Sequence, residues 1–290
     1  MKLKRFAFKF FSIFLSERLF FSLRYFHKQN KWPNLEHPCS FSEKLLVSKL
    51  REPTDVETIS ADKYAVRKVV KDKIGEKYLI PLIAVITNVK EFESVFDNLP
   101  DKFAMKASHG SGWNEIVFDK SKVDKYLLQR KVDFWLSDNY YYYGLEKQYR
   151  DIPPSIVIEE LLLTDDGNVP YDYKFYCFGH SGSSEMIIQV DLDRFGDHQR
   201  AFYDVNWNKH EISILSTKST KSTIEVEKPS CLDEMLNVVK ELSSEFSFSR
   251  IDLYVMGDKL FFGEITFHPE SAYGLIFENK EHDLILGELF

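Results

Sequence analysis

The spacing of apolar residues changes along the chain, and with it the predicted element. Ser40-Phe41-Ser42-Glu43 has the form of a capping box, with Ser40 as N-cap and Glu43 three residues on. It predicts a helix through Leu45, Leu46 and Leu50. Val66, Val69, Val70 and Ile74 recur at helical spacing and predict a second helix over 61–74, stopped by Gly75. LIPLIAVI (79–86) reads as a buried strand and VKEFESVFDNL (89–99) as a short helix. Residues 102–108 and 114–120 read as strands flanking a glycine loop, and 124–136 as a helix. Strand patterns then crowd together in SIVIEELLL, YDYKFYCFG, EMIIQVDLD and QRAFYDV. A helix, CLDEMLNVVKELSSEF, precedes the last long apolar stretch, RIDLYVMGDKLFFGEITFHPE (250–270). Helices followed by a mostly antiparallel sheet, with helices on one face, make an α+β fold rather than a doubly wound α/β fold.

Composition narrows the class. The chain has 290 residues, 44% of them hydrophobic, enough for one large domain or a few interlocked lobes. Cys39, Cys177 and Cys231 are scattered, with no CxxC or Cys/His spacing. Neither a disulfide framework nor a zinc site is expected, and a reducing cytoplasm is the default. The net charge of −7 is unevenly spread: residues 1–31 carry eight Lys/Arg against Glu17 alone, which leaves −14 on the remainder. The acidic body argues against a general nucleic-acid binder. The basic, Phe-rich head has no uncharged run near the ~20 residues of a spanning helix. It reads either as a pair of amphipathic helices capping the fold or as a peripheral contact with an anionic membrane surface.

Candidate chemistry begins in the last apolar stretch, where Arg250, Asp252, Glu264 and Thr266 interrupt two strands at even positions. A two-residue Gly257-Asp258 loop would pair Asp252 with Gly263; a three-residue loop through Lys259 would pair Asp252 with Glu264. The odd loop is expected, because it gathers the four polar groups on one face and leaves Ile251, Leu253 and Val255 to the core. Two facing carboxylates repel unless something positive lies between them, and Mg²⁺ suits oxygen ligands of this kind. A solvated polar face on an edge hairpin is the plainer reading. Lys106 ends an apolar strand before Ser108-His109-Gly110-Ser111-Gly112, where two glycines let backbone N–H groups approach an anion; a hairpin turn explains the loop equally. Glu159 and Glu160 end another apolar strand. Lys174 sits inside YDYKFYCF and needs an anion or a partner, for which Asp172 is on the right face.

In this order the motifs resemble the ATP-grasp superfamily and, more closely, the TupA-like ATP-grasp family of polysaccharide and teichuronopeptide biosynthesis. The matching segments are PCSFSEKL (38–45), ADKYAVRKVV (61–70), DKFAMKASHGSGWN (101–114), VIEELL (157–162), DYKFYCFG (172–179), RAFYDVNW (200–207) and RIDLYVMGDKLFFGEITFHP (250–269). The resemblance implies an ATP-grasp fold: two α+β lobes gripping ATP, mostly antiparallel, behind an N-terminal helical segment. It implies four parts: a basic head (1–35), an N-terminal α/β lobe (36–100), a small lobe with the Gly-rich loop (101–158) and a large lobe with the metal site (159–290).

The same resemblance implies roles. Lys106 and Lys174 would contact ATP phosphates, with His109, Gly110, Ser111 and Gly112 in a lid loop. Glu159, Glu160, Leu161 and Leu162 would hold adenine and ribose. Asp252 and Glu264 would bind Mg²⁺, with Thr266 standing where the superfamily often has Asn. Arg250 would stabilise the transferred phosphoryl group, and Lys63, Arg67 and Arg200 are candidates to face the acceptor. The implied reaction is an ATP-dependent carboxylate–amine ligation through an acylphosphate, between a carboxylate-bearing saccharide and an amino acid or amine. A different reading, a metal-dependent glycosyltransferase, rests on the DxD form of Asp191-Leu192-Asp193.

Overall fold

The computed structural model describes residues 14–179, 186–193, 197–216 and 219–290. The first 13 residues of the basic head lie outside these. Packing divides the chain into two compact units, Pro53–Val169 and a second made of Met1–Glu52 with Pro170–Phe290. The boundaries expected at 35, 100 and 158 differ from these: residues 14–52 group with the C-terminal part of the chain, which no local pattern could reveal.

The unit Pro53–Val169 is built on four strands: β1 (Leu82–Ile86), β2 (Phe103–Ala107), β3 (Asn114–Val117) and β4 (Ile156–Glu160). They form an antiparallel sheet in the order β1-β4-β2-β3. Alternation sends Phe103, Met105, Ala107, Ile156 and Ile158 to a core shared with Phe92, Phe96, Leu128, Val132 and Trp135, from the helices Val89–Phe96 and Lys125–Ser137. Lys106 and Glu159 therefore share the other face.

Two expectations need correcting here. Residues 61–74 do not form one helix: Asp55–Ala61 and Val66–Lys73 are separate. The Asp62 carboxylate accepts from the amides of Tyr64 (2.8 Å) and Ala65 (3.2 Å), so a local turn outcompetes the helix. The first of these helices begins in a capping box, Thr54 with Glu57, whose S/T-x-x-E signal was legible in the sequence. LIPLIAVI is a strand only after Pro81, and it is a half-exposed edge strand rather than a buried one.

The other unit holds a six-stranded sheet of β5 (Asp172–Phe178), β6 (Met186–Leu192), β7 (Gln199–Tyr203), β9 (Thr220–Lys221), β10 (Phe248–Met256) and β11 (Lys259–Thr266). Its order is β11-β10-β5-β6-β7-β9, and every pairing is antiparallel except β7 with β9. A short ladder joins β8 (Ile214–Leu215) to β12 (Ile276–Phe277). The helix Leu232–Ser243 lies against β10 and β5, burying Met235, Val238, Val239 and Leu242. The capping-box helix Phe41–Leu50 forms as expected and packs on Lys280–Leu289. Its Phe41 ring meets Phe178, Phe248 and Phe290 at centroid distances of 5.0–6.1 Å.

The β10–β11 hairpin reaches the expected register by an unexpected route. The loop is the two-residue one, with Met256 paired to Lys259 and Gly257 at φ 57°. The ladder then shifts by one: Leu253 pairs with Phe262, yet Asp252 pairs with Glu264. Gly263 is the extra residue of a β-bulge. A Cβ there would lie 2.9 Å from Tyr254 Cε2 and 3.0 Å from the Asp252 carbonyl oxygen.

Candidate functional site

One face of the six-stranded sheet carries polar side chains from five neighbouring strands. Register sets Thr266 opposite Arg250 and Glu264 opposite Asp252. It sets Arg250 beside Tyr176, Asp252 beside Lys174, Lys174 beside Gln189, and Asp172 beside Asp191, which pairs in turn with Arg200.

The positive group between the two facing acids is Arg250. Its Nε and Nη2 donate to the two oxygens of Asp252, both at 2.7 Å, and Nη2 also reaches Glu264 Oε1 and Thr266 Oγ1 at 3.1 Å. Lys174 Nζ bonds Asp172 and Asp252, both at 2.5 Å, and lies 3.8 Å from Asp191. The partner expected for Lys174, Asp172, is thus present, together with one of the candidate metal ligands.

The network continues through Tyr176, whose hydroxyl donates to Gln189 (3.0 Å), and Gln189, which donates to Asp191 (2.7 Å). Arg200 closes it by donating to Asp191 (3.1 Å), Glu270 (3.3 Å) and the Ile214 carbonyl (3.1 Å). Glu270 had no recognisable signal, since it follows the strand at Pro269. Tyr176 could have been read from the alternation that places Asp172 and Lys174 on one face of β5, and Gln189 from its i, i+2 spacing to Asp191 on β6.

Burial governs the electrostatics. Asp252 is almost wholly enclosed, whereas the Glu264 side chain keeps 33% of its surface and is the solvent-facing end of the pair. Burial pushes the Asp252 carboxyl up, against the pull of Arg250 and Lys174. Burial also opposes the charge on Arg250, but Asp252 above all outweighs it and holds the guanidinium well above the ordinary arginine range. Burial lifts Tyr176 to about 12, so it stays a neutral donor.

Three cations (Lys174, Arg200, Arg250) meet five carboxylates (Asp172, Asp191, Asp252, Glu264, Glu270), an excess of two negative charges when all are ionised. That excess, and an all-oxygen donor set in Asp252, Glu264 and Thr266, fit a hard divalent cation. Among the described residues no group of three or more His, Cys, Asp or Glu is arranged to hold an ion by itself. The protein ligands would therefore be few, as suits Mg²⁺, which keeps waters and phosphate oxygens in its shell.

In the unit Pro53–Val169, Glu159 is the centre of a second ion cluster. Its oxygens take Lys106 Nζ at 2.8 Å and Arg67 Nη1 at 2.5 Å, and Arg67 also donates to the Ile80 carbonyl at 2.8 Å. Glu160, one residue on, faces solvent; Leu161 is half-buried and Leu162 buried. Lys63 reaches the glycine loop, with Nζ 2.5 Å from the Gly110 carbonyl oxygen. The loop is anchored rather than loose at its start. His109 is buried, with Nε2 2.8 Å from the Trp135 carbonyl oxygen and its ring edge-on to Trp113. A Cβ on Gly110 would come within 3.0 Å of the Trp113 ring. Half-buried Ser111 and exposed Gly112 (φ 68°) form the tip. Burial holds His109 below the ordinary histidine value.

A family model described as TupA-like ATPgrasp matches residues 43–290, all of the chain after Ser42. The chain belongs to this family. The matched span of the TupA-like ATP-grasp chain includes every candidate site residue from Lys63 to Thr266. None of the curated proteins matches it. Among solved structures, the D-alanine–D-alanine ligase of Helicobacter pylori is 18% identical, with a TM-score of 0.46 over 80% of this chain and 61% of the ligase. The Bacillus anthracis enzyme of the same name is 17% identical, TM-score 0.39, over 72% of this chain and 57% of its own. A Chryseobacterium gregarium RiPP-associated ATP-grasp ligase, in complex with ADP and a leader and core peptide, is 14% identical, TM-score 0.40, over 76% and 56%. The TupA-like chain spans about three fifths of the length of these ligases.

Proposed function

We propose that the protein is an ATP-dependent carboxylate–amine ligase working with Mg²⁺ in the cytoplasm. In this reading it joins an amino acid or other amine to a uronic acid of a surface, capsular-type polysaccharide or its precursor. The observation that carries the ligase reading is Arg250 clamped between Asp252 and Glu264, beside Lys174, in a member of the TupA-like ATP-grasp family. The saccharide follows from the family resemblance to polysaccharide and teichuronopeptide biosynthesis.

A carboxylate resists an amine because its leaving group would be oxide. Attack of a carboxylate oxygen on the γ-phosphorus of ATP breaks the bond to the β-phosphate oxygen, giving an acylphosphate and ADP. The amine then adds to the acyl carbon, loses a proton and expels phosphate, leaving an amide. Arg250 offers a planar set of N–H donors to the charge that grows on the transferred phosphoryl and the tetrahedral adduct. Lys174 and Lys106 place ammonium groups against phosphate oxygens, for which each must share or exchange its present carboxylate partner. Glu159, Glu160, Leu161 and Leu162 supply the adenine and ribose contacts, and the Ser111–Gly112 tip supplies backbone donors. Asp252 and Glu264, with Thr266, would hold Mg²⁺, which when bound neutralises phosphate charge.

The test is ADP release. Sustained turnover, beyond one ADP per protein, is expected to require ATP, Mg²⁺, a uronic acid and an amine together. Stabilisation by a nucleotide sugar with no response to ATP would instead support a glycosyltransferase. That second reading gains no observation here. Asp191 is enclosed and bonded to Arg200 and Gln189, and Asp193 accepts from the Asp197 amide at 2.9 Å.

A further inference from the structure

The helix Glu17–Gln29 has two apolar faces. One is used by the fold: Phe20, Phe21 and Tyr25 are buried, and Gln29 Nε2 donates to the carbonyls of Tyr273 (3.0 Å) and Leu275 (2.6 Å). Arg24 adds its guanidinium over the Tyr273 ring at 4.5 Å. The opposite face carries Leu19, Leu23 and Phe26, spaced four and three residues apart on one stripe, and they are 43%, 42% and 39% exposed. Trp32, 54% exposed, extends the stripe by stacking on Phe26 at 4.9 Å. A helix that only capped the fold would present polar residues there.

The charge around this stripe points to one occupant. Arg18, Lys28 and Lys31 are exposed on the same segment, and Lys31 touches an acid only at 3.9 Å, from Glu43. By sequence Lys2, Lys4, Arg5 and Lys9 precede them, so residues 1–31 carry +7 while the rest of the chain carries −14. A second copy docking through the same face would set two such heads against each other. An anionic bilayer answers both features: headgroups for the cations, and an acyl boundary for Leu, Phe and Trp. No helix among the described residues is long and apolar enough to cross a membrane, so the contact lies along the surface.

We infer that this helix docks the protein on an anionic lipid surface, with Leu19, Leu23, Phe26 and Trp32 inserted at the acyl boundary and Arg18 and Lys31 on headgroups. In that arrangement the helix caps the fold with one face and meets lipid with the other. The inference is independent of the ligase reading, and either can fail alone.

The experiment is co-sedimentation of the full chain with phosphatidylcholine vesicles, with and without phosphatidylglycerol. The wild type is expected to pellet only with the phosphatidylglycerol vesicles, and less as salt rises. The double variant Leu23→Asp/Phe26→Asp should lose about tenfold or more in partitioning at an unchanged melting temperature. Arg18→Glu/Lys31→Glu should weaken binding without touching the apolar stripe. Wild type left in the supernatant with both vesicles would overturn the proposal. So would pelleting of both variants at the wild-type level, or a concentration-dependent dimer in sedimentation velocity that only Leu23→Asp/Phe26→Asp dissolves while lipid binding is unchanged.

Discussion

Glu264 stands opposite Asp252 because Gly263 is bulged out of the ladder, not because of the turn. The hairpin closes with a two-residue loop that would otherwise pair Asp252 with Gly263 and send Glu264 to the far face. A Cβ on residue 263 meets the Tyr254 ring edge and the Asp252 carbonyl. Gly263→Ala is therefore expected to cost about 1–3 kcal/mol, the usual range for forcing atoms into a packed site. It should also weaken Mg²⁺ binding, measured by calorimetry with a non-hydrolysable ATP analogue. Unchanged stability and unchanged affinity would show that the bulge does not set the pair.

The two acids differ in burial, so the same change should act differently on each. Glu264→Gln alters a partly exposed carboxylate and is expected to leave the melting temperature close to wild type. The Mg²⁺ concentration for half-maximal ADP release should rise at least about 10–100-fold, the cost of losing even an outer partner of a metal site. Asp252→Asn leaves Arg250 and Lys174 short of a buried counter-charge, and should lose about 3–5 kcal/mol of stability as well as turnover. Urea denaturation of the two variants in parallel separates these outcomes.

Lys106 can be removed without orphaning Glu159, because Arg67 still pairs with it. Lys106→Met is expected to keep its fold and to raise the KM for ATP by more than about tenfold, the loss of one charge-assisted phosphate contact. An unaltered KM would assign Lys106 to the Glu159 ion pair alone.

His109 gives a pH signature. Burial holds its pKa below the ordinary 6.5, so the folded chain resists a proton that the unfolded chain accepts. Its contribution to stability is complete above about pH 6.5. It is lost as pH falls from there toward the lower folded value, with a slope no steeper than about 1.4 kcal/mol per pH unit. His109→Gln should flatten that part of the stability profile in urea denaturation series at successive pH values.

Much of this was local and could be read directly. The Ser40–Glu43 box names its helix because capping spans three residues. The alternation in YDYKFYCF and RIDLYVM separates a polar from an apolar face because side chains of a strand alternate. Lys174 beside Asp172 needed nothing more. Asp62 shows where such reasoning fails. The apolar spacing of 61–74 suits a helix, but a side-chain turn competes for the same amides.

The sequence by itself determined which residues are charged on each strand face, and a family resemblance that needs only their order. The tertiary structure alone decided that Gly263 leaves the ladder, that Arg250 fills the gap between Asp252 and Glu264, and that Glu159 faces Lys106 and Arg67. It also left Leu23 and Phe26 facing outward while Phe21 turned in. Periodicity is a property of neighbours in the chain, whereas these pairings join residues up to dozens of positions apart. Which of them form depends on the desolvation and packing of the whole sheet face, and no short window contains those terms.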